Sequence, residues 1–78
     1  MTNKELATLY RETALAYAVA HDGTGNQLVR ASATWHVDNA REAIAVACDP
    51  AGLFDRGACL AGIAQVGKLL IEMETIHA

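Results

Sequence analysis

The chain has 78 residues, of which 53% are hydrophobic and 19% charged, with a net charge of −3. That length allows one domain, and that composition excludes an intrinsically disordered chain. Lys4, Arg11, Arg30, Arg41, Arg56 and Lys68 are scattered, which argues against nucleic acid and against an electrostatic membrane anchor.

The first segment opens on Thr2-Asn-Lys-Glu5, a capping-box spacing in which Thr2 and Glu5 satisfy each other's backbone donors. The helix it starts is expected over about 3–22, ending at Asp22-Gly23, where glycine tolerates the left-handed conformation. Leu6, Leu9, Tyr10, Thr13, Tyr17 and Ala20 recur at 3- and 4-residue spacing and mark its core face. Leu15 and Val19 lie on the opposite side, beside Thr8 and Glu12.

Thr24 and Gln27 repeat the capping signal, and a second helix is expected over about 25–48, ending before Asp49-Pro50. Leu28, Val29, Trp35, Ala40, Ala43, Ile44, Val46 and Ala47 give it a broad apolar side. Ser32, His36 and Asn39 interrupt that side. A buried polar group left unpaired costs about 1–3 kcal/mol, so these three need partners. Tyr10 and Tyr17, one heptad apart, are the candidates, and antiparallel packing brings Tyr10 toward the Asn39 end of the second helix. Tyr10, Tyr17, Ser32, Trp35, His36 and Asn39 then have, besides an exposed face that binds a partner, two readings. One is a polar pocket for a nucleotide or aromatic metabolite, and the other is a satisfied core network that fixes register.

The connection Asp49-Pro-Ala-Gly-Leu-Phe-Asp55 holds a turn at Pro50 and a second cap at Asp55, with Phe54 as a hydrophobic staple. A third helix follows over about 55–77. Cys59, Ile63, Val66, Leu70 and Met73 form one apolar seam, and Leu60, Ala64, Gly67 and Ile71 form another beside it. Leu69 and Ile76 widen the surface further. Roughly two-thirds of the circumference is apolar, well beyond the ~100° stripe of an ordinary surface helix. Gly57, Gly62 and Gly67 each cost up to ~1 kcal/mol relative to alanine, which implies tight contacts that offset the cost.

These features predict an all-α fold, an antiparallel three-helix bundle completed by self-association, most simply a two-fold dimer. No phosphate loop, nucleophile elbow or zinc-helix pattern occurs. The Arg30–His36 and Glu74–His77 spacings are too common to carry catalysis, and no cofactor or metal is expected. Two lone cysteines, Cys48 and Cys59, and an N-terminal stretch without a continuous apolar core point to a cytoplasmic protein with free thiols. The expected function is non-enzymatic: self-association plus binding of another protein, as a regulator, adaptor or inhibitor. Leu15, Val19, Leu69 and Ile76 are the candidate partner face, and small-molecule binding at the polar cluster is the alternative.

Overall fold

The structure, a computed structural model, describes residues 1–21 and 27–77, and the side chains of residues 1–20 and 27–72. The fold is all-α, with helices α1 (Asn3–His21), α2 (Gln27–Cys48) and α3 (Arg56–His77). The Asp22-Gly23 stop and the Thr24–Gln27 capping box fall on or beside residues outside the described set. None of the described helices is long and apolar enough to cross a membrane.

Local chemistry starts the helices where the chain supplies side-chain acceptors. At the head of α1 the Thr2 backbone N–H donates to Glu5 Oε1 at 2.9 Å, and the Glu5 N–H donates to Thr2 Oγ1 at 3.1 Å. The backbone N–H and the hydroxyl of Thr2 hold the Glu5 carboxyl below its usual range. Asp55 caps α3, accepting the Ala58 N–H at 2.9 Å. Between α2 and α3, Asp49 folds the chain back on itself. Its carboxylate accepts the Ala51 N–H and its carbonyl the Gly52 N–H. A β-carbon at Gly52 would stand 2.5 Å from the Val46 carbonyl oxygen, so only glycine fits this corner.

Helix α1 is the centre of the assembly. It packs against both α2 and α3, while α2 and α3 touch each other much less. Tyr10 meets His36 and Asn39 on α2, and the short 49–55 connection sets the end of α2 beside the start of α3. Arg56 bonds Asn3 and Cys59 bonds the Leu6 carbonyl, which makes α1 and α3 parallel. The result is up-down-up and flattened, 43 × 20 × 14 Å, with a radius of gyration of 13.1 Å. A compact domain of this length has a radius of about 11.5 Å.

The buried cluster is Leu6, Tyr10, Tyr17, Ala33, Ala40, Cys59 and Val66, with Val29, Phe54, Ile63, Leu69 and Leu70 packed against it. The core face of α1 differs from the sequence expectation. Ala7 and Ala14 are fully buried at its centre, whereas Leu9 and Ala20 are exposed. Two helices close on α1 at once, and Ala7 and Ala14 share its covered side with Leu6, Tyr10 and Tyr17. Leu28 and Trp35 likewise leave the inner side of α2, at 83% and 60% exposure. Ala33, His36 and Ala40 take the inner positions instead.

Of the α3 glycines, Gly62 has its reason inside the chain. A β-carbon there would lie 2.7 Å from Tyr10 Cζ and 2.9 Å from its oxygen. At Gly67 the same atom would meet nothing within 4 Å among the described residues, so the expected tight contact is absent there. Gly62→Ala is therefore expected to displace the Tyr10 ring and destabilise the fold by about 1–3 kcal/mol despite its better helix propensity. Urea denaturation followed by circular dichroism measures this as a lowered midpoint at unchanged slope.

Candidate functional site

Tyr10 projects from the second turn of α1 into the space between the other two helices and is only 1% exposed. Its hydroxyl lies 2.7 Å from His36 Nδ1, and Asn39 Nδ2 donates to the same oxygen at 3.3 Å. His36 and Asn39 occupy adjacent positions on the inner edge of α2, three residues apart, so both reach one acceptor. The phenol and imidazole rings meet edge-on, 5.9 Å apart at 75°, and Trp35 meets the other side of His36 at 4.9 Å and 85°.

Proton placement follows from burial. Desolvation pushes the His36 pKa below its ordinary 6.5, because the charged imidazolium is disfavoured away from water. Neutral His36 presents Nδ1 as an acceptor, Tyr10 donates its hydroxyl proton to it, and Asn39 donates to the Tyr10 oxygen. Both bonds point the same way, from α2 through α1 and back to α2. The Cys59 thiol, pushed up by burial and opposed by the Arg56 charge, stays protonated and donates to the Leu6 carbonyl at 3.6 Å.

The six sequence-predicted site residues separate into distinct settings. Tyr10, His36 and Asn39 form the network. Tyr17 is buried two turns further along α1, Ser32 is half-buried, and Trp35 shows most of its indole to solvent while its ring edge covers His36. A separate open cleft of about 190 Å³ lies between the last turns of α2, the connection and the start of α3. Tyr10 and Asn39 line it with Glu42, Val46, Leu53, Phe54 and Cys59; Tyr17, Ser32, Trp35 and His36 do not. Ligand pockets ordinarily measure about 300–1000 Å³.

Of the predicted partner residues, Leu15 is partly exposed and Val19 is 73% exposed on α1. Leu69 is half-buried against the core, and Ile76 lies outside the residues whose side chains are described. Arg30 is exposed while His36 is buried, so the two do not share a face. Cys48 and Cys59 are not bonded to each other, the first exposed and the second buried. Among the described residues no group of three or more His, Cys, Asp or Glu could hold a metal ion. Sequence reasoning missed the seat that Gly62 provides for Tyr10 and the Arg56 Nη1 bond to Asn3 Oδ1 at 2.7 Å. Both are contacts between distant parts of the chain, and no local signal marks them. The chain matches no family model, and no curated protein or solved structure shows detectable similarity to it.

Two measurements test the network. Tyr10→Phe leaves His36 Nδ1 and the Asn39 amide without their buried partner, at a cost of about 1–3 kcal/mol. In a domain of this size each kcal/mol lowers the melting temperature by about 4–8 °C. The pH dependence follows from the depressed His36 pKa. Between the folded value and the unfolded value near 6.5, the unfolded chain binds the extra proton. The stability is fully present above about 6.5, falls as pH drops through that value, and levels off below the folded pKa. Melting curves from pH 8 to 5 are expected to show this fall in the native chain and a shallower one in His36→Gln.

Proposed function

We propose that this chain is a small non-enzymatic cytoplasmic helical protein that self-associates and acts by binding another protein, as a regulator, adaptor or inhibitor would. The observation that supports this reading is the apolar area left outside a single folded copy. One copy exposes 5203 Å². A compact monomer of 8.3 kDa is expected to expose about 4600 Å², so the excess is about 600 Å². Large apolar side chains contribute to it on all three helices: Val19 on α1, Leu28 and Trp35 on α2, Leu60 and Ile71 on α3.

The free thiols of Cys48 and Cys59 fit a reducing compartment. The cleft beside Tyr10 and Asn39 favours a second reading, capture of a small nucleotide or aromatic molecule. Its small volume and the engagement of both residues in the core network keep that reading second.

Sedimentation is the direct test, and oligomers at micromolar concentration are the expected result; a strictly monomeric chain argues against self-association. Leu15→Ala and Val19→Ala together are expected to weaken assembly or partner capture about tenfold, or ~1.4 kcal/mol. Both side chains are exposed, so the melting temperature should stay close to native. Unaltered binding removes this face from consideration. Thermal shift with nucleotides and aromatic metabolites reads out the second function as a raised melting temperature.

A further inference from the structure

We propose that the cleft between the end of α2 and the start of α3 receives an arginine side chain of a partner protein. This rests on the protein-binding reading above and states the chemistry that one site on the chain selects in such a partner.

The cleft measures about 190 Å³ and opens to solvent. Small-molecule pockets ordinarily measure about 300–1000 Å³, so this space suits one side chain better than a whole metabolite. Its walls are apolar: Ala43 and Val46 from α2, Leu53 and Phe54 from the connection, Ala58 from α3.

The polar groups around the cleft fall into two sets. The first is spent inside the fold. The Tyr10 hydroxyl bonds His36, Asn39 Nδ2 bonds Tyr10, and the Cys59 thiol bonds the Leu6 carbonyl. The second set is uncommitted, and every member of it is an acceptor. Glu42 makes no hydrogen bond or ion pair among the described residues. Asp55 uses one carboxylate oxygen for the Ala58 N–H and keeps the other, and Asn39 keeps its Oδ1. No lysine or arginine lines the cleft. Arg41, beside Glu42 in sequence, is exposed and lies outside the lining, and Arg56, beside Asp55, bonds Asn3 on α1 instead.

This arrangement selects its guest by charge and by shape. Two carboxylates without a neighbouring cation repel anions, phosphate-bearing nucleotides among them, and attract a positive charge. Apolar walls beneath them favour a charge carried on a methylene stem. Arginine meets these demands better than lysine. Its donors are spread over a planar fork that can serve acceptors on more than one wall, and its flat face packs on an aromatic ring such as Phe54. Lysine gathers its donors at a single point. The rim favours a protein segment over a free cation. Leu53 stands 96% exposed at the edge of the cleft, where a residue flanking the arginine covers it. The net charge of −3 adds long-range attraction for a basic partner.

Two-dimensional ¹H–¹⁵N NMR of the full chain, titrated with the peptide acetyl-Ala-Leu-Arg-Leu-Ala-amide, tests the site. Amide shifts are expected to concentrate at Glu42, Val46, Leu53 and Ala58. Replacing the arginine by citrulline keeps its shape and removes its charge, and should weaken binding about tenfold or more. Glu42→Gln, at an exposed position, should weaken it about fivefold while the melting temperature stays close to native. Asp55→Asn removes the other charge and keeps a capping residue, with a similar effect expected. No shift at millimolar peptide overturns the arginine site, while assembly and partner capture by the Leu15 and Val19 variants still decide the protein-binding reading. Equal binding of the citrulline peptide overturns the selection by charge, and shifts centred elsewhere overturn the location. N-acetyl-arginine amide binding as tightly as the peptide overturns the partner segment and makes the cleft a site for a free cation.

Discussion

The placement of one phenol organises the bundle. Tyr10 leaves α1, lays its ring against the bare backbone of Gly62 on α3, and sends its hydroxyl to His36 and Asn39 on α2. Apolar contacts tolerate sliding, because burial depends on area and not on direction. Hydrogen bonds at 2.7 and 3.3 Å do not, and a ring that needs a glycine beneath it tolerates only one position on α3. Register is therefore set between α1 and α2 by polar geometry and between α1 and α3 by steric fit. The Asn3–Arg56 bond and the Cys59 thiol on the Leu6 carbonyl fix the same α1–α3 alignment nearer the helix starts.

A central helix flanked by two others has a consequence for surface area. In a closed three-helix bundle each helix buries two flanks, one against each neighbour. Here α1 does so, and Ala7 and Ala14 at its midline are small because both neighbours press on it. The outer helices each have one extensive partner, so one side of each stays outside. The sequence of α3 is apolar on more than one side, and the second side has no cover within the chain. The flattened shape and the large exposed area share this cause.

Helix number, the starts of α1 and α3 and the turn after α2 were legible because they rest on local chemistry. The Thr2–Glu5 box, the Asp49 turn and the Asp55 cap each involve groups within four residues, and all three formed as the spacing dictated. Pairing of Tyr10 with the polar edge of α2 was legible too, since buried donors need acceptors and an antiparallel hairpin offers few. The wheel of α1 was misread for a physical reason. Periodicity weights large side chains, and where three helices converge the innermost positions belong to alanine. Trp35 was misplaced for a related reason: its bulk suggests the core, yet the smaller His36 takes the inner position and Trp35 shields its ring edge. The cleft beside Tyr10 could not be foreseen, because it depends on how the connection folds over the start of α3.

Two of the three glycines of α3, Gly62 and Gly67, show how similar residues acquire different meanings in one helix. Both weaken the helix by comparable amounts, so propensity alone cannot separate them. Gly62 is accounted for by a ring within van der Waals reach, and its substitution would disturb the fold. Gly67 opens on empty space, and its substitution in a single copy should strengthen the helix. The polar cluster has the reverse character. Tyr10, His36 and Asn39 have the chemistry of a binding site, but the Tyr10 hydroxyl, His36 Nδ1 and Asn39 Nδ2 are engaged with one another and tie α1 to α2. Substitutions at the cluster act first on the fold, so a loss of function there must be separated from a loss of stability. Leu60 and Ile71, exposed on the outer side of α3, take no part in that network.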